Sequence, residues 1–121
     1  MTNAINWFEI PVTNFERAKK FYSSVLDTEI TDAPMPNMKY GVFKYAVNGV
    51  GGGIIEAEGC KPSKDGVTIY LPGGDDLSEP LARVEAAGGT IIIPKTGIGE
   101  NGFMAQLIDT EGNRVALHSM N

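Results

Sequence analysis

Trp7-Phe8-Glu9-Ile10-Pro11-Val12-Thr13-Asn14-Phe15-Glu16-Arg17-Ala18-Lys19-Lys20-Phe21-Tyr22 holds a complete strand-to-helix transition. The apolar and aromatic run Trp7 to Val12 suits a strand that stops at Pro11 or just after it, because proline cannot donate to a sheet ladder. Asn14 then offers a side-chain oxygen to the first free backbone N–H groups of a helix that runs to Leu26. Within that helix Phe15, Ala18, Tyr22 and Val25, with Leu26, recur at spacings of three and four, so one apolar stripe should lie on a sheet. The same signals return later in the chain. Asp76 opens a second helical stretch to Ala87, 62 residues after Asn14 (14 to 76), with Leu77, Pro80 or Leu81, Val84 and Ala87 as its stripe. Pro80 costs little in a first turn whose N–H groups have no intrahelical partner, and Gly88-Gly89 supplies the stop. Gly49, in the Asn48-Gly49 turn, matches Gly112, in the Glu111-Gly112-Asn113 turn, 63 residues on (49 to 112). Two anchors that agree within one residue predict a duplicated module.

Strand-like segments follow each helix: Thr28 to Thr31, Tyr40 to Val47 and Val50 to Ala57, then Thr90 to Ile93, Phe103 to Ile108 and Arg114 to Ser119. Asn48-Gly49 is a two-residue hairpin signal, since both positions tolerate positive φ. Each half therefore reads strand, helix, strand, strand, strand. Asp32 to Met38 and Pro94 to Asn101 are the irregular connections, and the glycine-containing second one is a candidate lid.

At 121 residues the chain has the length of one domain, so a duplicated fold must share one body, with modules at about 4–60 and 64–121. A hydrophobic fraction of 42% is ordinary, and no run approaches the roughly 20 apolar residues of a membrane span. Met1-Thr2-Asn3-Ala4 lacks the basic start of a signal peptide, so the expected address is cytoplasmic, without membrane contact. The single cysteine, Cys60, cannot form an internal disulfide and reads as structural. A net charge of −5 repels phosphate backbones and argues against nucleic acid as a partner. The one basic cluster, Arg17, Lys19 and Lys20, reads as a solvated helix face. Asp75-Asp76 and Asp109 sit at a helix start and a turn, where aspartate bonds the backbone.

The stretch Phe8-Glu9-Ile10-Pro11-Val12 through Asn14-Phe15-Glu16-Arg17-Ala18 to Phe21-Tyr22 resembles the opening of the vicinal oxygen chelate superfamily, which contains glyoxalase I, extradiol dioxygenases and bleomycin-resistance proteins. Asp109-Thr110-Glu111-Gly112-Asn113-Arg114-Val115-Ala116-Leu117-His118 is similar to its closing signature. The resemblance covers the whole chain. It implies an α+β fold of two tandem βαβββ modules whose mixed sheet curls into a cup.

Metal-dependent members hold a divalent ion through side chains on the first and last strand of each module. Carried onto this chain, those positions are Trp7, Gly53, Ile69 and Ala116, within a residue for the middle two. None offers a metal a lone pair: glycine and alanine have no donor atom, isoleucine is apolar, and the indole N–H only donates. The expected metal ligand set is thus none and no cofactor is expected; a divalent metal enters only if Glu9 and His118 hold it, helped by Glu56 or Gln106. Both Glu9 and His118 stand two residues from a family position, on the same strand face. They are the candidate catalytic pair, a carboxylate positioning an imidazole for proton transfer; the plainer reading is a structural imidazole bonded to Glu9 or to backbone.

Trp7, Phe8, Tyr40, Phe43 and Tyr70 supply aromatic surface on strands, and Trp7 or Tyr70 can stack on a ligand in the cup. Trp7, Tyr70, Gln106 and Ala116 form the candidate ligand-binding set. Two functional expectations follow from the resemblance. One is a small-molecule-binding protein with a degenerate metal site. The alternative is a glyoxalase-like lyase or isomerase acting on a small carbonyl compound through Glu9 and His118. A small-molecule partner is common to both, and a homodimer is expected because open curled sheets leave edges to cover.

Overall fold

The computed structural model describes residues 3–121. Its elements run β1 (Trp7–Pro11), α1 (Phe15–Val25), β2 (Ile30–Asp32), β3 (Lys39–Phe43), β4 (Gly51–Glu56), β5 (Tyr70–Pro72), α2 (Ser78–Val84), β6 (Thr90–Gly97), β7 (Phe103–Ile108) and β8 (Arg114–Ser119). One turn of 3-10 helix, Gly99–Asn101, links β6 to β7. The strands form two four-stranded sheets, ordered β1-β4-β3-β2 and β5-β8-β7-β6, so each half is a βαβββ module. In each sheet the first strand lies parallel to the last and the remaining pairs are antiparallel.

Local sequence explains the first module closely. Asn14 accepts from the Arg17 backbone N–H at 3.0 Å, capping α1. Phe15, Ala18, Tyr22 and Val25 are buried as the periodicity predicts, with Phe21 beside them. Alternation along β1 sends Ile10 and Val12 into the core beneath α1 and leaves Trp7 and Glu9 on the opposite face, here termed the cup face. Core residues from both sheets, among them Ile10, Ile54, Leu71, Leu107 and Leu117, join one cluster with α1 and with Leu77 and Val84. The modules of one chain therefore meet through their helix-bearing faces, and both cup faces turn away from that core.

Polar contacts fix this meeting. Tyr22 donates its hydroxyl to Asp109, whose other oxygen accepts from the backbone of Glu111 and Asn113 at 2.8 and 2.9 Å. Asn113 Nδ2 donates to the Pro11 carbonyl at 2.8 Å. Arg83 on α2 donates to the Ser24 and Val25 carbonyls at the end of α1. Arg17 is not part of a merely solvated face: its Nε donates to Glu111 at 2.7 Å, and Lys19 pairs with Asp32 at 2.8 Å.

Several expected boundaries move. The Pro94 to Asn101 segment is not an irregular lid, because β6 runs on to Gly97 and only the 3-10 turn follows. Pro94 fits there since β6 is an edge strand. β3 stops at Phe43 rather than Val47. The turn is a four-residue one, with Gly49 N–H donating to the Ala46 carbonyl at 2.8 Å, and neither Asn48 nor Gly49 takes positive φ. In α2 the helix starts at Ser78, and Asp76 instead accepts from the Ser78 backbone at 2.8 Å and from Lys95 at 2.9 Å.

Candidate ligand site

Three consecutive glycines, Gly51-Gly52-Gly53, make up half of β4, where strand propensity argues against them. Aromatic rings on both faces account for them. A Cβ on Gly51 would stand 2.6 Å from the Tyr45 ring and 2.9 Å from the Trp7 ring. One on Gly53 would stand 2.6 Å from both the Tyr40 ring and the Gly41 carbonyl oxygen, and one on Gly52 would strike the Phe8 ring on the core side. Trp7, Tyr40 and Tyr45 thus cover the cup face of the first sheet.

Trp7 Nε1 donates to the Tyr40 hydroxyl at 2.7 Å, and the Trp7 and Tyr45 rings meet edge-on, 5.8 Å between centroids. Tyr40 is 6% exposed, whereas Trp7 is 39% and Tyr45 49% exposed, so Tyr40 is the floor and the other two are contact surface. Burial pushes the Tyr40 phenol above its ordinary pKa; the Trp7 hydrogen bond pulls it down, and the hydrogen bond and charge of neighbouring Glu9 push it up further.

On the second sheet the register Tyr70↔Ala116↔Gln106 and Met104↔His118 places Tyr70, Gln106, Ala116, Arg114 and His118 on the cup face. Gln106 Nε2 donates to the Tyr70 hydroxyl at 3.4 Å, and Arg114 Nη1 donates to Gln106 Oε1 at 3.3 Å. Arg114 Nε is buried without an acceptor among the described residues. His118 Nε2 lies 2.6 Å from the Asn101 carbonyl, which can only accept, so Nε2 carries the proton and Nδ1 of a neutral ring is left as the acceptor.

Residues 4–117 match the model of the glyoxalase/bleomycin resistance protein/dioxygenase superfamily. The chain belongs to that superfamily. Among curated proteins it is similar to CFP32 of Mycobacterium bovis, which bears a provisional glyoxylase name, at 28% identity over 96% of this chain and 45% of that protein. The chain thus spans about half the length of its curated relatives. Solved structures with this fold include two maize glyoxalase I mutants (21% identity, TM-score 0.75, 93% of this chain and 44% and 45% of those chains). A glyoxalase/bleomycin resistance protein from Albidiferax ferrireducens follows the fold over its full length (18% identity, TM-score 0.74, 98% of this chain). So does the antibiotic-binding protein TnmS3 from a Streptomyces (20% identity, TM-score 0.65, 98% of this chain and 97% of that one).

The superfamily's metal positions do not fit a divalent ion here. Trp7 donates to Tyr40, the Tyr40 ring fills the space a side chain at Gly53 would need, and Ala116 has no donor atom. The third position is Thr68 rather than Ile69. Tyr70 pairs with Ala116 as Glu9 pairs with Gly53, so Thr68 corresponds to Trp7, and Ile69 falls with Leu71 on the core side. Glu56 also faces the core side, where its carboxylate accepts from the Phe15 backbone at 2.7 Å. Among the described residues no three His, Cys, Asp or Glu side chains converge.

Of the residues singled out from sequence, Tyr70, Gln106 and Ala116 come together on one sheet, and Trp7 and Glu9 flank Tyr40 on the other. Glu9 and His118 do not meet within the chain. No hydrogen bond or ion pair joins them, because the cup faces that carry them point away from a common core. Sequence reasoning missed Tyr45, which lies beyond the end of β3, and Arg114. The latter was readable: it alternates with Ala116 and His118 along β8. Cys60 stands alone in its turn.

Proposed function

We propose that this chain is a metal-independent small-molecule-binding member of its superfamily, holding ligand against the cup faces. The Tyr40 ring standing where a ligand-bearing side chain at Gly53 would have to stand carries the reading. Trp7 and Tyr45 supply exposed aromatic surface for an apolar or planar body. The buried, partnerless Arg114 Nε–H, beside Gln106 and Tyr70, supports a ligand that also bears a hydrogen-bond acceptor. That the fold neighbours include an antibiotic-binding protein agrees with a binding role.

Trp7 is the sole tryptophan, so its emission reports on this surface alone. Titrating a panel of planar aromatic compounds should quench it saturably, unchanged by EDTA, with no product formed. Stoichiometric metal in the dialysed protein, lost in a Glu9→Gln, His118→Ala double variant together with turnover of a small carbonyl substrate, would overturn the proposal in favour of a lyase or isomerase.

A further inference from the structure

A cavity of about 540 Å³ opens between the two modules, running from core-side residues to a rim at Tyr45, Gly51, Thr68 and Tyr70, within the roughly 300–1,000 Å³ of small-molecule sites. Its walls are Phe8 and Phe43, whose rings lie 5.7 Å apart, Leu26 at the end of α1, and Ile69 and Leu71 beside the second sheet. Phe8, Leu26 and Ile69 pack only partly against the core, so their remaining apolar surface faces this space. At its mouth Val67 is 91% and Ile5 48% exposed, apolar surface that a bound molecule would cover.

The single charged group in the lining is Lys44, which is exposed and forms no ion pair with any described residue. The Thr28 and Thr68 hydroxyls add hydrogen-bonding groups at the same walls. With one cation and no second basic group in the lining, the site matches a single carboxylate. We infer that this crevice binds an apolar monocarboxylic acid, its body between Phe8, Phe43, Ile69 and Leu71 and its carboxylate at Lys44. The apolar body of the site is distinct from the cup faces, since Phe8, Ile69 and Leu71 lie on the core side, while Tyr45, Gly51, Thr68 and Tyr70 form a rim shared with those faces.

The test is calorimetric titration of the full chain with cyclohexanecarboxylate, whose puckered ring is not among the planar probes of the cup face, and with its neutral counterpart cyclohexylmethanol, following Trp7 emission in parallel. Wild type should bind the acid at one site per chain without saturable quenching of Trp7, so failure here is distinct from failure of the cup-face reading. Lys44→Gln should weaken the acid about tenfold, the scale of one charge-assisted hydrogen bond, and leave the alcohol within about twofold. Ile69→Trp, which fills the crevice, should abolish binding of both with far-ultraviolet dichroism unchanged; Leu26→Trp serves the same end if Ile69→Trp does not fold. Absence of saturable binding at millimolar acid, quenching of Trp7 in step with binding, equal losses for acid and alcohol in Lys44→Gln, or binding that survives both crevice-filling variants would overturn the inference.

Discussion

Replacing Glu111 with glutamine isolates the strongest electrostatic link between the modules. Glu111 lies in the β7–β8 turn and reaches the start of α1, where its fully buried side chain collects six donors. Oε1 accepts from Thr13 N, Thr13 Oγ1, Asn14 N and Arg17 Nη2 at 2.8–3.1 Å, and Oε2 from Arg17 Nε at 2.7 Å and Thr110 Oγ1 at 2.9 Å. Burial raises the carboxyl's pKa, and the hydrogen bonds from Arg17, Asn14, Thr110 and Thr13 outweigh it, holding the group at about 2. A depressed folded-state pKa stabilises the fold above the unfolded value and is lost as pH falls through the folded one. The window is therefore from about 4.5 down to about 2. A drop from 4.5 to about 2 corresponds to about 3 kcal/mol at pH 7, about 2 at pH 3.5 and about 1 at pH 2.5. Glu111→Gln should thus lower the urea-extrapolated stability by about 3 kcal/mol at pH 7, and wild type should approach the variant as pH falls. In thermal melts at pH 7 the loss should appear as roughly 10 °C. A cost below about 1 kcal/mol at pH 7, or one equal at pH 7 and pH 2.5, would refute the reasoning.

Other consequences are as open to measurement. Gly53→Ala should cost about 1–3 kcal/mol in urea unfolding and clearly more than Gly51→Ala, because its Cβ meets a backbone carbonyl and a buried ring whereas that of Gly51 meets two exposed rings. Equal costs would remove the explanation of the glycine run. Tyr40→Phe takes the acceptor from the Trp7 N–H, so the emission maximum of this sole tryptophan should move; an unchanged spectrum contradicts the hydrogen bond. Tyr22→Phe removes a buried donor from Asp109 and should cost about 1–3 kcal/mol. Burial, and then the Asp109 charge, push the Tyr22 phenol far above its ordinary range. In alkaline ultraviolet titration it should ionise only as the protein unfolds.

The fold was legible because its signals are local: Asn14 as cap, the Phe15, Ala18, Tyr22, Val25 stripe, and the Gly88-Gly89 pair that stops the second helical stretch. The same locality explains the misses. Nothing within four residues of Arg17 announces that its partner is Glu111, 94 positions away, so a helix face that looks solvated proves to be a joint between modules. Pro94 reads as a breaker unless β6 is known to be an edge, and that is a fact of sheet order. Glu9 and His118 were placed correctly on their strands; whether they face each other depends on how two sheets dock, which alternation within a strand cannot reveal. The glycine run of β4 shows the deeper reason. As a local signal Gly51-Gly52-Gly53 weakens a strand, yet each missing Cβ makes room for a ring from a different segment: Tyr45 and Trp7, Phe8, and Tyr40. The missing side chain at Gly53 and the buried Tyr40 are therefore one arrangement seen twice. Restoring a metal-binding side chain there would first require displacing a ring that is 6% exposed and hydrogen-bonded to Trp7. On the metal-independent reading proposed above, the bare Gly53 and the aromatic floor are coupled, because the Tyr40 ring occupies the space that any side chain at Gly53 would need.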